Sequence, residues 1–403
     1  MKIIDKLLDY VSYETTSDEL SPTCPSSELE KVLGQHLVEE LKKYGCKESF
    51  MDDNGYVYGM LEANDPSFSS LGLIAHMDTS PDASGKDVKP RIIENYDGET
   101  ITLANGLEID TKRYPNIKQY KGKTVVVTDG NTLLGADDKA GVAIIVELLD
   151  YFNSNPDKKH GMIKVCFTPD EEIGRGADLF NYDYFDVDYS YTVDGGTYNA
   201  ISYENFNAAS ATVQFNGISV HPGSAKDKMV NALNVAHEFH GMLDPKMRPE
   251  HTDGYDGFNH LVGIEGDVSE CKLFYILRNF DTAILQQQKD AFYSAQEELN
   301  DSYGYEVCSV LIKDAYKNMS DLFKDDHKTI DIFFDACKEL NINAVPEPIR
   351  GGTDGATISY GGILTPNLGT GGDNYHGPYE IWCKEDGEMV FTILLKMIEK
   401  MKK

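Results

Sequence analysis

The feature that most constrains this chain is an apolar run that stops abruptly in a histidine and an aspartate. Leu71-Gly72-Leu73-Ile74-Ala75 leads directly into His76-Met77-Asp78 and the polar stretch Thr79-Ser80-Pro81-Asp82. Apolar or small residues bounded by polar punctuation predict a strand buried on both faces, as in a parallel sheet. Residues two apart in extended chain share a face, so His76 and Asp78 point the same way at the strand's carboxyl end. Open α/β sheets place their ligand sites at that end. A histidine held by a carboxylate is also the usual oriented metal ligand. Taken alone, a strand with a polar end explains the stretch equally well.

Three further segments repeat the pattern. Ile163 to Phe167 runs into Thr168-Pro169-Asp170-Glu171-Glu172, and Tyr189 to Val193 ends in Asp194-Gly195-Gly196. Thr124 to Thr128, a fourth buried run, leads into Leu134-Gly135-Ala136-Asp137-Asp138-Lys139 at the start of a helical stretch, Val142 to Phe152. One acid at a helix start is an ordinary cap. Two in a row exceed what a cap needs, and three adjacent acids repel one another unless a cation or solvent compensates. Four such ends on one sheet edge point to a metal.

Composition narrows the partners. The chain has 403 residues, long enough for two domains, with 41% hydrophobic and 26% charged residues, as in an ordinary globular protein. A formal charge of −30 argues against nucleic acid and anionic membrane as partners. Seven scattered cysteines without a CxxC pair predict reduced thiols and a cytoplasmic location. The first residues repeat apolar positions at helical spacing rather than as a signal peptide, and no run is long enough to span a bilayer.

Along the chain, helices are expected over 2–13 and 27–44, strands over 56–61 and 71–75, and a long polar, aromatic loop over 80–122. From about 207 the rhythm becomes β-α-β-β-α-β, the split βαβ sandwich. Its strands are expected near 210–216, 260–267, 271–279 and 305–313, and its helices over 229–243 and 282–300. This reads as a domain, 207–318, inserted into a discontinuous one made of 1–206 and 319–403. After it come a helix over 326–340, a strand around 342–346, the Gly-rich segments Arg350-Gly351-Gly352-Thr353-Asp354-Gly355 and Gly371-Gly372-Asp373-Asn374-Tyr375-His376-Gly377, and a last helix over 384–401. The glycines lack dinucleotide-binding spacing.

His76-x-Asp78, Gly135-Ala136-Asp137-Asp138-Lys139, Glu171-Glu172, Asp194-Gly195-Gly196 and the late His376 occur in one order and spacing. In this the chain resembles the M20 family of co-catalytic metallopeptidases, over essentially its whole length. Longer blocks, among them Glu204-Asn205-Phe206-Asn207-Ala208-Ala209-Ser210 and Val220-His221-Pro222-Gly223, resemble the tripeptide aminopeptidases within it. The resemblance implies a zinc-peptidase-like α/β catalytic domain with helices on both faces of a mostly parallel sheet, plus an inserted ferredoxin-like α+β dimerisation domain. It implies two Zn²⁺ per subunit, or other divalent ions, with His76, Asp137, Glu172, Asp194 and His376 as ligands and Asp137 bridging. Glu171 is then the general base and acid, and Asp78 the support of His76. His221 is expected to reach across a homodimer to the scissile carbonyl. Arg350 is the candidate for the peptide carboxylate, with Arg278 and Asn374 as further substrate contacts.

Chemistry agrees with that set. Two imidazoles and three carboxylates are the mixed donors that zinc accepts. The expected reaction is release of the N-terminal residue from tripeptides by attack of a metal-bridging water. A dipeptidase, carboxypeptidase or N-acyl amino acid amidohydrolase would share the same metal site. A noncatalytic acidic protein that binds divalent ions would need neither Glu171 nor His221. A glycosidase fits poorly, because adjacent glutamates cannot flank a sugar.

Overall fold

Buried strands do line up in parallel as the apolar runs require. The computed structural model describes residues 3–403 and divides into two compact units. The first comprises residues up to Tyr203 together with Asp321–Glu347 and Thr353–Lys403; the second comprises Glu204–Ser320 and Pro348–Gly352. These boundaries lie a few residues from the expected ones, and Pro348–Gly352 goes with the second unit. The reason is backbone pairing: Ile349 N–H donates to Glu204 O and Phe206 N–H to Ile349 O.

In the first unit an eight-stranded sheet has the spatial order Lys47–Met51, Val57–Leu61, Ile163–Thr168, Leu71–His76, Tyr189–Gly195, Asn367–Gly369, Ala200–Ser202, Val345–Pro346. Leu71–His76 lies between Ile163–Thr168 and Tyr189–Gly195 and is parallel to both. All six of its residues are buried. The helix Ala136–Ser154 packs against it and against Tyr189–Gly195. Ile74 joins Tyr58, Cys166, Phe180, Phe185 and Ile358, the last from the short helix Asp354–Tyr360. A strand covered on both faces has no room for polar side chains until it ends, which is why its chemistry is gathered at His76.

The expected helices appear as Ile3–Tyr10, Glu30–Lys43, Lys328–Glu339 and Lys384–Lys400. Residue 2, in the first expected helix, lies outside the described residues. Two expectations need correction. Val125–Val127 is not part of the main sheet; it sits in a separate four-stranded one between Ile381–Cys383 and Arg91–Ile93. The segment 80–122 is not mere loop either. Tyr96, Ile101, Leu103, Ile109, Ile117 and Tyr120 form a small core with Val125, Val127, Ile381 and Cys383. Its strands are two or three residues long, too short to show alternation.

The second unit has strands Asn207–Asn216, Phe258–Gly266, Glu270–Asn279 and Cys308–Asp314, with helices Ala232–Met242 and Thr282–Tyr303. Its antiparallel sheet has the second strand at one edge and the fourth at the other, the order of a split βαβ sandwich. Both helices contribute to one apolar core with the buried side of the sheet, including Val235, Phe239, Phe292, Leu273 and Tyr275.

Candidate metal centre

Parallel neighbours deliver their carboxyl ends to the same edge. His76 is the last residue of its strand and pairs in register with Thr168, so the Glu171–Ile173 turn begins beside it. Asp170, at φ 57°, and Gly174, at φ 72°, give that turn its tight left-handed entry and exit. Asp194 lies near the end of the neighbouring strand Tyr189–Gly195.

Asp137 arrives from the other side. Neither it (φ −85°, ψ 106°) nor Asp138 (φ −117°, ψ 32°) has helical dihedrals, so the regular helix follows them. Its Oδ1 is 3.1 Å from His76 Nε2, and its Oδ2 is 3.4 Å from His376 Nε2. Asp194 Oδ1 lies 3.5 Å from His76 Nε2, and Glu172 Oε2 lies 3.0 Å from His376 Nε2. Two triads result, His76–Asp137–Asp194 and Asp137–Glu172–His376, and Asp137 belongs to both. Glu171 is in neither.

The adjacent aspartates therefore do different work. Asp138, 1% exposed, accepts from the backbone N–H of His76 at 3.2 Å and of Gly141 at 3.1 Å. Asp78, fully buried, sits 3.3 Å from His76 Nδ1 and accepts from Glu171 N–H at 3.0 Å and Glu172 N–H at 3.1 Å. Charge-assisted bonds of this kind contribute roughly 1.5–3 kcal/mol each. One carboxylate thus orients a histidine and the loop carrying both glutamates. Behind it, Asp170 accepts from Ser26 N–H at 2.9 Å and pairs with Arg175 at 3.1 Å.

His376, at φ 63°, is carried by a loop that the 80–122 segment straps down. Asn116 Nδ2 donates to Asn374 Oδ1 at 3.1 Å, and Gln119 Nε2 and Tyr120 Oη donate to Asp373. The strap and Glu380 had no signal in the sequence, because hydrogen bonds between distant segments leave no local pattern; Asp138 and Asp170 stood within the acidic motifs but without a role of their own.

The electrostatics are those of crowded, buried acids. Burial, then repulsion from Asp137, pushes Glu172 up to about 7. Burial also raises Asp194 to about 6. Glu171 is pushed well up by burial and then by Asp194. His376 is raised to about 11 by its hydrogen bonds to Asp137 and Glu172. Burial opposes charge on His76, but Asp194 and Asp137 outweigh it and hold its proton. A divalent cation among these groups would invert that balance and leave the acids ionised and the imidazoles neutral. Glu172 Oε1 is buried without a hydrogen-bond partner, an atom whose desolvation a cation would offset. The donor set and this orphaned oxygen both fit a metal.

Of the other expected residues, Asn374 sits in the His376 loop, two positions before the histidine. Asn374, at φ 58°, leaves Nδ2 buried and unpartnered. His221, Arg278 and Arg350 belong to the second unit. His221 is exposed, and its Nδ1 accepts from Gly223 N–H at 3.1 Å. Arg278 donates to Leu277 O at 3.0 Å and lies over the Tyr316 ring. Arg350 donates to Gly254 O at 2.6 Å and Asp256 O at 2.8 Å, and lies over Phe206.

Residues 120–400 match the model of peptidase family M20/M25/M40. The chain belongs to peptidase family M20. It is 47% identical over 401 residues to a peptidase T of Caldanaerobacter subterraneus subsp. tengcongensis, covering 99% of this chain and 98% of that one. Family membership with near-half identity over the full length makes it a metallo-aminopeptidase. Among solved structures, the fold is similar to aminopeptidase PepT from Bacillus cereus, with TM-score 0.77 and 21% identity over 100% of this chain and 98% of that one. A dinuclear metal-binding M20 peptidase from Bacillus subtilis gives TM-score 0.66 and 13% identity over 99% and 97%. Among the described residues of this M20 chain, no helix is long and apolar enough to cross a membrane.

Proposed function

We propose that this M20 enzyme is a homodimeric tripeptide aminopeptidase that works with two divalent ions, zinc by preference of the donor set. The observation that carries the two-ion reading is Asp137, whose oxygens face different histidines at 3.1 and 3.4 Å. Likeness to peptidase T over nearly the whole chain supports the tripeptide substrate. Seven free cysteines suit a cytoplasmic setting.

His76, Asp137 and Asp194 would hold one ion, and Asp137, Glu172 and His376 the other. When bound, such a pair polarises a carbonyl and acidifies water near neutral pH. Glu171 takes the proton of the attacking water as the new C–O bond forms, then returns it to the leaving amine as the C–N bond breaks. Its place next to ligand Glu172, outside both triads, suits that role. Asp78 keeps His76 in one orientation and presents the Glu171–Glu172 backbone. His221 of the partner subunit supports the developing oxyanion. Arg350 takes the substrate carboxylate by exchanging one of its carbonyl contacts for it. Asn374 Nδ2 and Arg278 supply further contacts to the peptide.

Dialysis against a chelator followed by zinc titration tests the reading. Tripeptide hydrolysis should vanish and return as the second equivalent binds. Turnover indifferent to the chelator contradicts it.

A further inference from the structure

A fully engaged carboxylate stands directly behind the bridging aspartate. Glu380 is 1% exposed and precedes the strand Ile381–Cys383. Its Oε2 accepts from Leu134 N–H at 2.6 Å and Gly135 N–H at 2.8 Å, and its Oε1 from Asp137 N–H at 3.0 Å. Three backbone donors from one short segment therefore converge on one side chain. Asp137 has non-helical dihedrals, and Gly135 is at φ 79°, so no helical hydrogen-bond ladder fixes this segment. Glu380 also terminates the loop that carries His376. The same side chain thus ties the backbone of one metal-ligand candidate to the loop of another.

We propose that Glu380 is a positioning residue that sets the spacing between Asp137 and His376, and through it the affinity of the Asp137–Glu172–His376 site for its ion. The proposal rests on the two-ion reading above. His76 and Asp194 stand on adjacent strands of the main sheet and need no such tie. His376 has no strand of its own, and its partner Asp137 comes from a segment that Glu380 holds. Loosening Glu380 disturbs Asp137 in both triads, but it displaces the His376 loop in only one.

Glu380→Gln keeps the length and removes one of the two acceptor oxygens. Zinc affinities are measured by competition with a chromophoric chelator for wild type, Glu380→Gln and His376→Ala, the last marking which ion belongs to the His376 site. Glu380→Gln should weaken that ion by about 10–100-fold, the usual cost of losing a ligand's support. The other ion should weaken far less, with the thermal midpoint of the zinc-loaded protein nearly kept. Unchanged affinity, or equal weakening of both ions, overturns the proposal. If Glu380→Gln does not fold, Glu380→Asp is read the same way, and amide exchange in the wild type gives an independent check. The N–H groups of Leu134, Gly135 and Asp137 should exchange slowly; rapid exchange overturns the clamp. A wild type that binds one ion contradicts the two-ion reading and this proposal with it. Two ions in the wild type, equally weakened in Glu380→Gln, contradict this proposal alone.

Discussion

Asp137 and Asp138 are chemically identical neighbours with separate tasks, and backbone geometry divides them. Asp137 turns both oxygens toward histidines, whereas Asp138 is spent on the N–H groups of His76 and Gly141. The same division separates Glu172, which faces His376, from Glu171, which faces neither histidine within an ion-pair distance. Glu171→Ala should therefore keep both zinc ions in elemental analysis while turnover falls about 10²–10⁴-fold, the usual contribution of a positioned base. Glu172→Ala should lose zinc on dialysis. Glu171→Ala with normal turnover would remove the base assignment. His76, Asp137, Glu172 and Asp194 stood out in sequence because each closely follows an apolar run, whereas His376, in a glycine-rich segment, was reached only through the family resemblance. Glu380 did not stand out, since a lone glutamate before a short strand looks like any other. Its role exists only because the chain returns to residue 134 from far away.

At the level of elements, the parallel trio around Leu71–His76 was legible because burial on both faces leaves an unbroken apolar run. Val125–Val127 has the same look yet belongs to another sheet, since an apolar triplet does not encode which neighbour it pairs with. The junction of helix Ala136–Ser154 with strand Tyr189–Gly195 is tight. A Cβ on Gly141 would come within 1.9 Å of Val193 O and 2.5 Å of Asp138 Oδ1. In an open helix, Gly to Ala stabilises by up to about 1 kcal/mol. Here the backbone contact wins: Gly141→Ala should cost about 1–3 kcal/mol in denaturant unfolding, as overpacking does, and weaken zinc binding by shifting Asp138. A stabilised Gly141→Ala protein would contradict the described packing.

For the whole molecule, the crowded acids link stability to pH and metal. Burial raises Glu172, Asp354 and Glu380 to about 7 and Asp194 to about 6, from ordinary values of 4.5 or 3.8. The folded chain then holds protons that the unfolded chain has released. That stabilisation is fully present below pH 3.8 and is lost as pH rises through these folded values, up to about 7. In chelator, the thermal midpoint should fall between about pH 4.5 and 7, and added zinc should reduce the fall by holding Glu172 and Asp194 ionised. A chelated protein whose midpoint rises across that window would refute the linkage.

The proposed dimer has its own consequence. Mixing His221→Ala with Glu171→Ala should restore about a quarter of wild-type turnover if subunits of a two-fold dimer exchange and share sites. No recovery after demonstrated exchange removes the role in trans. The order of the second unit's strands was legible from its alternation and turns; a partner surface has no such periodicity.

We propose that this protein is a two-ion peptidase that takes tripeptides by their free amine. The most direct test is a panel of di-, tri- and tetrapeptides and N-acyl amino acids, assayed with and without chelator. Chelator-sensitive release of the N-terminal residue from tripeptides, with little action on shorter, longer or blocked substrates, is the predicted result. Equal hydrolysis of N-acylated substrates would contradict it.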